Sequence, residues 1–228
     1  MNVGASALNR ELFTRQRVFV VSLFGPPSCG KTSLIEATLQ RLAGELRVGV
    51  IVGNIRAIEE CERLRRTSSQ IYPIETIDLT AELVREALQQ IDLSQLDLLL
   101  IERAGSAFNT GPGCEDLGQS AKAGLFSVLG GDETTGRYQE RIENSDVLLL
   151  TKSDLLPFQP FDLVLFRQQV RRINPRTTLI PVSVLTGQGL DRWCMWLRTH
   201  AIAWIGKQDD PVDLNEDRSC GSHLHGSR

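Results

Sequence analysis

The residues "GPPSCGKT" at 25–32 set two glycines, two prolines, a lysine and two hydroxyls between an apolar run and a helix-like run. A flexible stretch closed by a lysine suits one chemistry in particular, the holding of nucleotide phosphates. Gly25 and Gly30 let the loop that runs through Pro26, Pro27, Ser28 and Cys29 turn the N–H groups it has inward as a nest for an anion, the two prolines shaping the turn without donating. A helix starting near Lys31 adds the positive end of its dipole. Lys31 then reaches the β- and γ-phosphates as a point charge, Thr32 offers an oxygen to Mg²⁺, and Ser33 follows on the same first turn. The pattern G-x-x-x-x-G-K-[ST] is met in full, with the strand before it and the helix after it that give it meaning. The bland alternative, a glycine-rich turn without a ligand, leaves that context unexplained.

A second group concerns the base. "DVLLLTKSDLL" carries T-K-x-D directly after an apolar strand. A carboxylate at such a strand end can accept two hydrogen bonds from a base presenting adjacent N–H donors, which guanine does and adenine does not. Asp154 is therefore the expected guanine reader, with the Lys152 stem along the purine face and Thr151 opening the motif. "PVSVLTGQG" closes another strand at Ser183 and Val184, where a backbone N–H could contact the base oxygen. "DLLLIERAG" puts Glu102 at the end of a strand, placed to hold Mg²⁺ directly or through water, and Gly105 where its backbone could approach the γ-phosphate.

These residues need a scaffold that collects strand ends. Apolar runs at 17–24, 47–53, 71–74, 97–102, 124–129, 146–151 and 178–183 read as strands, and some are unbroken enough to be covered on both faces. Helical patterns fall between them at 31–43, 58–66, 80–90, 136–144, 162–173 and 190–205. Strands alternating with helices imply parallel pairing and right-handed crossovers. The expected fold is α/β: a single P-loop NTPase domain over 17–207, with about seven strands in a mostly parallel central sheet and helices on both faces. Residues 1–16 are expected as a short helix or loose arm, and 208–228 as a polar, flexible tail.

The 228 residues are 41% hydrophobic and 23% charged with a net charge of −3, so no basic field points to nucleic acid or a membrane surface. A small basic cluster at Arg63, Arg65 and Arg66 reads as a solvated helix face. No apolar run reaches the ~18 residues of a membrane span, and the N-terminus lacks the pattern of a signal peptide. A cytoplasmic location is expected. Five scattered cysteines without a C-x-x-C pair argue against a disulfide framework.

The order of these motifs resembles the P-loop GTPases of nickel-enzyme maturation, the HypB and UreG group. The resemblance is carried by "GPPSCGKTSLIEATL", "VGVIVGNIRAIEECERLR", "LLLIERAG", "EDLGQSAKAGLFSV", "DVLLLTKSDLLP" and "INPRTTLIPVSVLTGQGLDRWCMWL", the last being the most HypB-like. It implies a cytoplasmic GTPase with GTP or GDP and Mg²⁺ as ligands, dimerising around nucleotide and helping nickel reach a hydrogenase large subunit with other maturation proteins. Three departures stand out. Family members carry Gly-Asp at the end of the second strand, and here it is Gly53-Asn54; Glu59 or Glu60 could substitute for the missing acid. The family's Cys-His pair after the third strand is absent from "IETIDLTAEL". A further family cysteine aligns near Asn109, with Cys114 close by. Cys220, His223 and His225, within six positions of one another in the tail, are a further candidate set for Ni²⁺ or Zn²⁺.

Two functions follow. In one, Lys31, Asn54 and Glu102 serve slow GTP hydrolysis. In the other, the chain is a guanine-nucleotide switch that docks on a metalloenzyme precursor without hydrolysis and without binding nickel. An ATP-dependent kinase is a third option, against which Asp154 argues.

Overall fold

The structure, a computed structural model of the chain, describes residues 4–67, 70–103, 116–130 and 136–206. Seven strands form one all-parallel sheet: β1 (Phe19–Phe24), β2 (Val48–Gly53), β3 (Ile71–Ile74), β4 (Leu98–Arg103), β5 (Ala121–Ser127), β6 (Val147–Thr151) and β7 (Thr178–Val182), in the order β3-β2-β4-β1-β5-β6-β7. The helices are α1 (Ala5–Arg15), α2 (Lys31–Leu42), α3 (Ala57–Leu64), α4 (Ala81–Ala87), α5 (Gly136–Glu143), α6 (Leu163–Ile173) and α7 (Leu190–Gly206). The expected α/β architecture is present, with every strand of the sheet parallel.

Side-chain alternation divides the core between two faces. On one face Val21, Leu23, Val50, Leu98, Leu100, Leu149 and Ile180 pack against α2, α3 and α7. On the other, Val20, Ile51, Leu99 and Ile101 meet α1 and α4, while Phe126, Leu148 and Leu150 meet α5 and α6. Every residue of β1, β2, β4 and β6 is buried. That is why these strands read as continuous apolar runs rather than alternating ones.

Boundaries moved where local signals were weak. β5 starts at Ala121, earlier than the expected 124, because Ser120 N–H already pairs with Val20 O. The helix expected over 80–90 unwinds after Ala87 into a 3₁₀ turn at Leu88–Gln90. The stretch left open between a short helix and a loose arm is α1, with Phe13 buried and the Asn9 amide donating to Ala81 O (2.9 Å) and Leu117 O (3.1 Å).

The segment "GQGLDRWCMWL" locks α7 onto α2. The Trp193 indole N–H donates to Thr38 Oγ1 at 2.9 Å, and Asp191 pairs with Arg41. Gly189 has φ 75°, and a Cβ there would sit 2.0 Å from Pro181 O. Gly187, with φ 80°, would meet only the mobile end of Arg41 at 3.1 Å. In urea melts Gly189→Ala is expected to cost more than about 2 kcal/mol, and Gly187→Ala about 1 kcal/mol, because only the former adds a backbone clash to the left-handed conformation.

Candidate nucleotide site

Parallel strands deliver their carboxyl ends to one edge of the sheet, and the loops that follow converge there. β1 hands over to the phosphate loop at Gly25, and β4 lies beside it with Glu102 paired to Leu23 across one ladder and to Val52 across the other. The loop closes on Gly30, whose φ of 95° and ψ of 22° lie in the left-handed region and turn the chain into α2. Ser28 also has a left-handed φ, 59°, a conformation that costs on the order of 1 kcal/mol outside glycine. Lys31 is buried, and its ammonium donates back to Gly25 O (3.1 Å) and Pro26 O (3.0 Å) across the loop it closes. Cys29 packs beneath the loop, its thiol pushed up by burial. The four residues Pro26 to Cys29 thus form a rim with the ammonium at its centre.

An acidic group faces Thr32. The Thr32 hydroxyl donates to Glu102 Oε1 at 2.7 Å and lies 3.2 Å from Glu60 Oε2, while the Asn54 amide donates to the same Glu60 oxygen at 2.7 Å. Asn54 Oδ1 in turn accepts from Arg56 N–H at 2.7 Å, which fixes the orientation of the amide. Ser33 sits one position on, 3.3 Å from Arg63, which pairs with Glu36 and ties α3 to α2. Glu102 is 2% exposed; burial pushes its carboxyl up to about 7, the Thr32 hydrogen bond opposes the rise, and the Glu60 charge adds to it. Its second oxygen, Oε2, is buried and has no hydrogen-bond partner among the described residues. An orphaned carboxylate oxygen beside a hydroxyl and a second carboxylate is a donor set that fits Mg²⁺, which takes one or two carboxylates together with substrate phosphates.

The base-reading segment stands on the other side of the loop. Lys152 adopts φ 57° and leads into a 3₁₀ stretch at Ser153–Phe158 that brings Asp154 to the surface. Thr151 is buried, and its hydroxyl lies 2.6 Å from Cys29 O and 3.0 Å from Phe126 O, so it faces the underside of the phosphate loop. At β7 the Ser183 N–H is spent on Gln188 O (2.9 Å), and its hydroxyl accepts from Thr186 N–H (3.2 Å). Val184 follows on the half-exposed turn. Of that pair, the main-chain donor left to meet a base is Val184, because Ser183 is committed inside the turn.

Gly105, Cys114, Cys220, His223 and His225 lie outside the described residues. Among the described residues no three His, Cys, Asp or Glu side chains cluster as a metal site. Cys61 and Cys194 are buried thiols pushed up to about 11 by desolvation, so neither is poised as a thiolate ligand. Arg141 was not anticipated: it stacks 4.6 Å over the Phe126 ring, close enough to Cys29 for its charge to lower that thiol's pKa. Its position in the polar helix "GRYQERIE" carries no sequence signal for that role.

Known proteins are similar to this chain in sequence and fold. Residues 19–181 match the family described as CobW/HypB/UreG, nucleotide-binding domain. The hydrogenase maturation factor HypB of Escherichia coli K12 is 30% identical over 198 residues, covering 86% of this chain and 68% of its own length. The HypB of Azotobacter vinelandii is 33% identical, with 84% and 64% covered. The chain therefore spans about two thirds of these relatives. In three dimensions HypB of Archaeoglobus fulgidus superposes with a TM-score of 0.78 at 28% identity, covering 86% of this chain and 97% of that one. The fold is also that of Helicobacter pylori HypB, solved in complex with nickel, at a TM-score of 0.80 and 20% identity, covering 87% and 94%. The family match and the relatives' identity show that the chain belongs to the CobW/HypB/UreG family of nucleotide-binding domains.

Proposed function

We propose that this chain is a Mg²⁺-dependent GTPase that assists nickel insertion during hydrogenase maturation. The observation that carries it is the buried Glu102 carboxylate, one oxygen bound by Thr32 and the other orphaned, at the mouth of a complete phosphate loop. The relatives' name, hydrogenase maturation factor, supports the accessory role. Main-chain N–H groups of the loop, which Pro26 and Pro27 do not supply, and the Lys31 ammonium bind the triphosphate tail and neutralise charge that moves toward the leaving group. Mg²⁺, when bound by Thr32 and Glu102, supplies further charge neutralisation on the phosphates. Asp154 selects guanine, Lys152 lies along the purine, and Val184 donates to the base. Thr151, beneath the loop, holds the base-reading strand to the phosphate end.

Asn54 replaces the family's switch aspartate, and the geometry favours Glu60 as the acid that takes over. Glu60 shares one oxygen between Thr32 and Asn54, so the carboxylate sits beside the Mg²⁺ ligands while the amide orients it. The same turn accepts Thr76 N–H on Asn54 O (3.4 Å) and exposes Ile55, Ile58 and Ile77 beside it. This apolar border supports docking on a second copy around nucleotide, or on the hydrogenase precursor and its maturation proteins. Ni²⁺ would be the cargo of that assembly, since the described residues offer no soft-ligand cluster.

Turnover of GTP by purified protein with Mg²⁺ tests the reading, and is expected to be slow, well below ~1 s⁻¹ without a partner. Glu60→Gln should lower turnover about 10- to 100-fold. Asn54→Asp should not raise it, because a second carboxylate within hydrogen-bond distance of Glu60 repels the first; faster turnover by Asn54→Asp would instead favour the non-hydrolysing switch for the natural chain.

Asp154→Asn exchanges one acceptor for a donor, so GDP affinity should drop about a hundredfold or more while xanthosine diphosphate gains. Competition binding with labelled GDP reads both changes, and unchanged GDP affinity would remove Asp154 from the base site.

The pH dependence has a definite sign. Glu102 is raised from 4.5 in the unfolded chain to about 7, so the metal-free protein loses stability as pH climbs between these values and no further above them. Mg²⁺ must displace a proton below about pH 7, so its affinity for the GDP complex should fall up to about tenfold per pH unit on acidification. Calorimetric Mg²⁺ titrations across that range should show the slope in the natural chain and lose it in Glu102→Gln.

A further inference from the structure

On the edge of the sheet, away from the phosphate loop, lies a cleft of about 320 Å³. Its lining comes from Arg167, Val170 and Arg171 on α6, Thr177 and Leu179 at the start of β7, and Arg192 on α7. α6 and α7 cover opposite faces of the sheet, so they can meet only around its last strand. Three guanidinium groups gather where they do.

Elsewhere Arg10, Arg41, Arg47, Arg56, Arg63 and Arg198 are each paired with a carboxylate. Arg167, Arg171 and Arg192 make no ion pair or hydrogen bond among the described residues. Arg167 and Arg171 are one helical turn apart and repel each other. Thr177 lines the same cleft, and its hydroxyl is buried without a hydrogen-bond partner among the described residues. Three unpaired cations and an unsatisfied hydroxyl are complementary to an oxyanion, and guanidinium forks match phosphate geometry in particular.

The backbone argues against an extended peptide as the occupant. Thr178 N–H points inward to Asp146 O, so by the alternation of a parallel ladder Leu179 and Pro181 face outward. Pro181 has no N–H, and its carbonyl is pressed against Gly189. The outer edge thus presents a single usable donor, too few for strand addition.

We propose that this cleft binds a small phosphate-bearing molecule, its phosphoryl oxygens taken by Arg167, Arg171 and Arg192 and by the Thr177 hydroxyl. The site shares no residue with the nucleotide site and stands independently of it. Isothermal titration of the chain saturated with GDP and Mg²⁺, using inorganic phosphate and phenyl phosphate as separate probes, tests it. One site is expected, and tighter binding of one probe distinguishes a free ion from a monoester. Arg171→Gln and Arg192→Gln should each weaken binding about tenfold, and Thr177→Val about threefold. Arg172→Gln, adjacent in sequence but outside the cleft, should leave it unchanged, with circular dichroism melts confirming the fold of each variant. Because none of these substitutions touches the nucleotide site, the result reads this cleft whatever the phosphate loop holds. Absence of heat with both probes, equal affinity in all variants, or preference for an unphosphorylated poly-glutamate peptide would overturn the proposal.

Discussion

A carboxylate sealed inside a protein must find a cation, a hydrogen bond or a proton, and Glu102 is held where it has half of what it needs. Its position is not adjustable. β4 runs between β1 and β2, and the register of both ladders sets the Glu102 side chain under the phosphate loop. One oxygen is satisfied by Thr32, from the first turn of α2, and the other by nothing among the described residues. The loop, the start of α2 and the segment carrying Asn54 and Glu60 are therefore assembled around a charge that the metal-free fold tolerates poorly. That tension is a reason for the site to prefer a divalent cation.

The same principle of fixing one element from several sides holds the phosphate loop. Trp193 fills the space behind α2 and caps Thr38, whose hydroxyl would otherwise turn back only to Leu34 O. Asp191 fastens Arg41 one turn farther along. On the opposite side the Thr151 hydroxyl reaches the carbonyl of Cys29. The end of β6, where the T-K-x-D segment begins, is thereby tied to the backbone of the phosphate loop. Asn174 does comparable work at the amino end of the sheet, its amide reaching the carbonyls of Ile142 (3.1 Å) and Ser145 (3.0 Å). "INPR" and "G-x-G-L-D-x-W" are thus fastening devices, and the chemistry is placed by them rather than performed in them.

Asn54 is held by partners at both ends of its amide. The amide donates to Glu60 and accepts from Arg56 N–H, so both its polar ends are used. An acid at that place would face Glu60 with acceptors on both sides. In this turn the carboxylate beside Thr32 comes from α3 and the neutral group from the loop.

The amino-acid sequence alone determined the phosphate-loop pattern, the T-K-x-D segment after an apolar strand and the alternation of strands and helices. Each is a local pattern: glycine spacing dictates backbone freedom, and an apolar run covered on both faces is visible as such. Glu102 was legible for the same reason, as an acid closing an apolar strand. Sequence left Glu59 and Glu60 as equals, and only the fold separated them: Glu60 faces Thr32, whereas Glu59 pairs with Arg56 at the surface. Thr151 turning beneath the loop, the commitment of Ser183 N–H to Gln188, the docking of α1 and the meeting of Arg167, Arg171 and Arg192 all join residues distant along the chain. Such contacts depend on strand order and on which face each helix covers, and these are settled by burying one core as a whole, not by any stretch of residues read in turn.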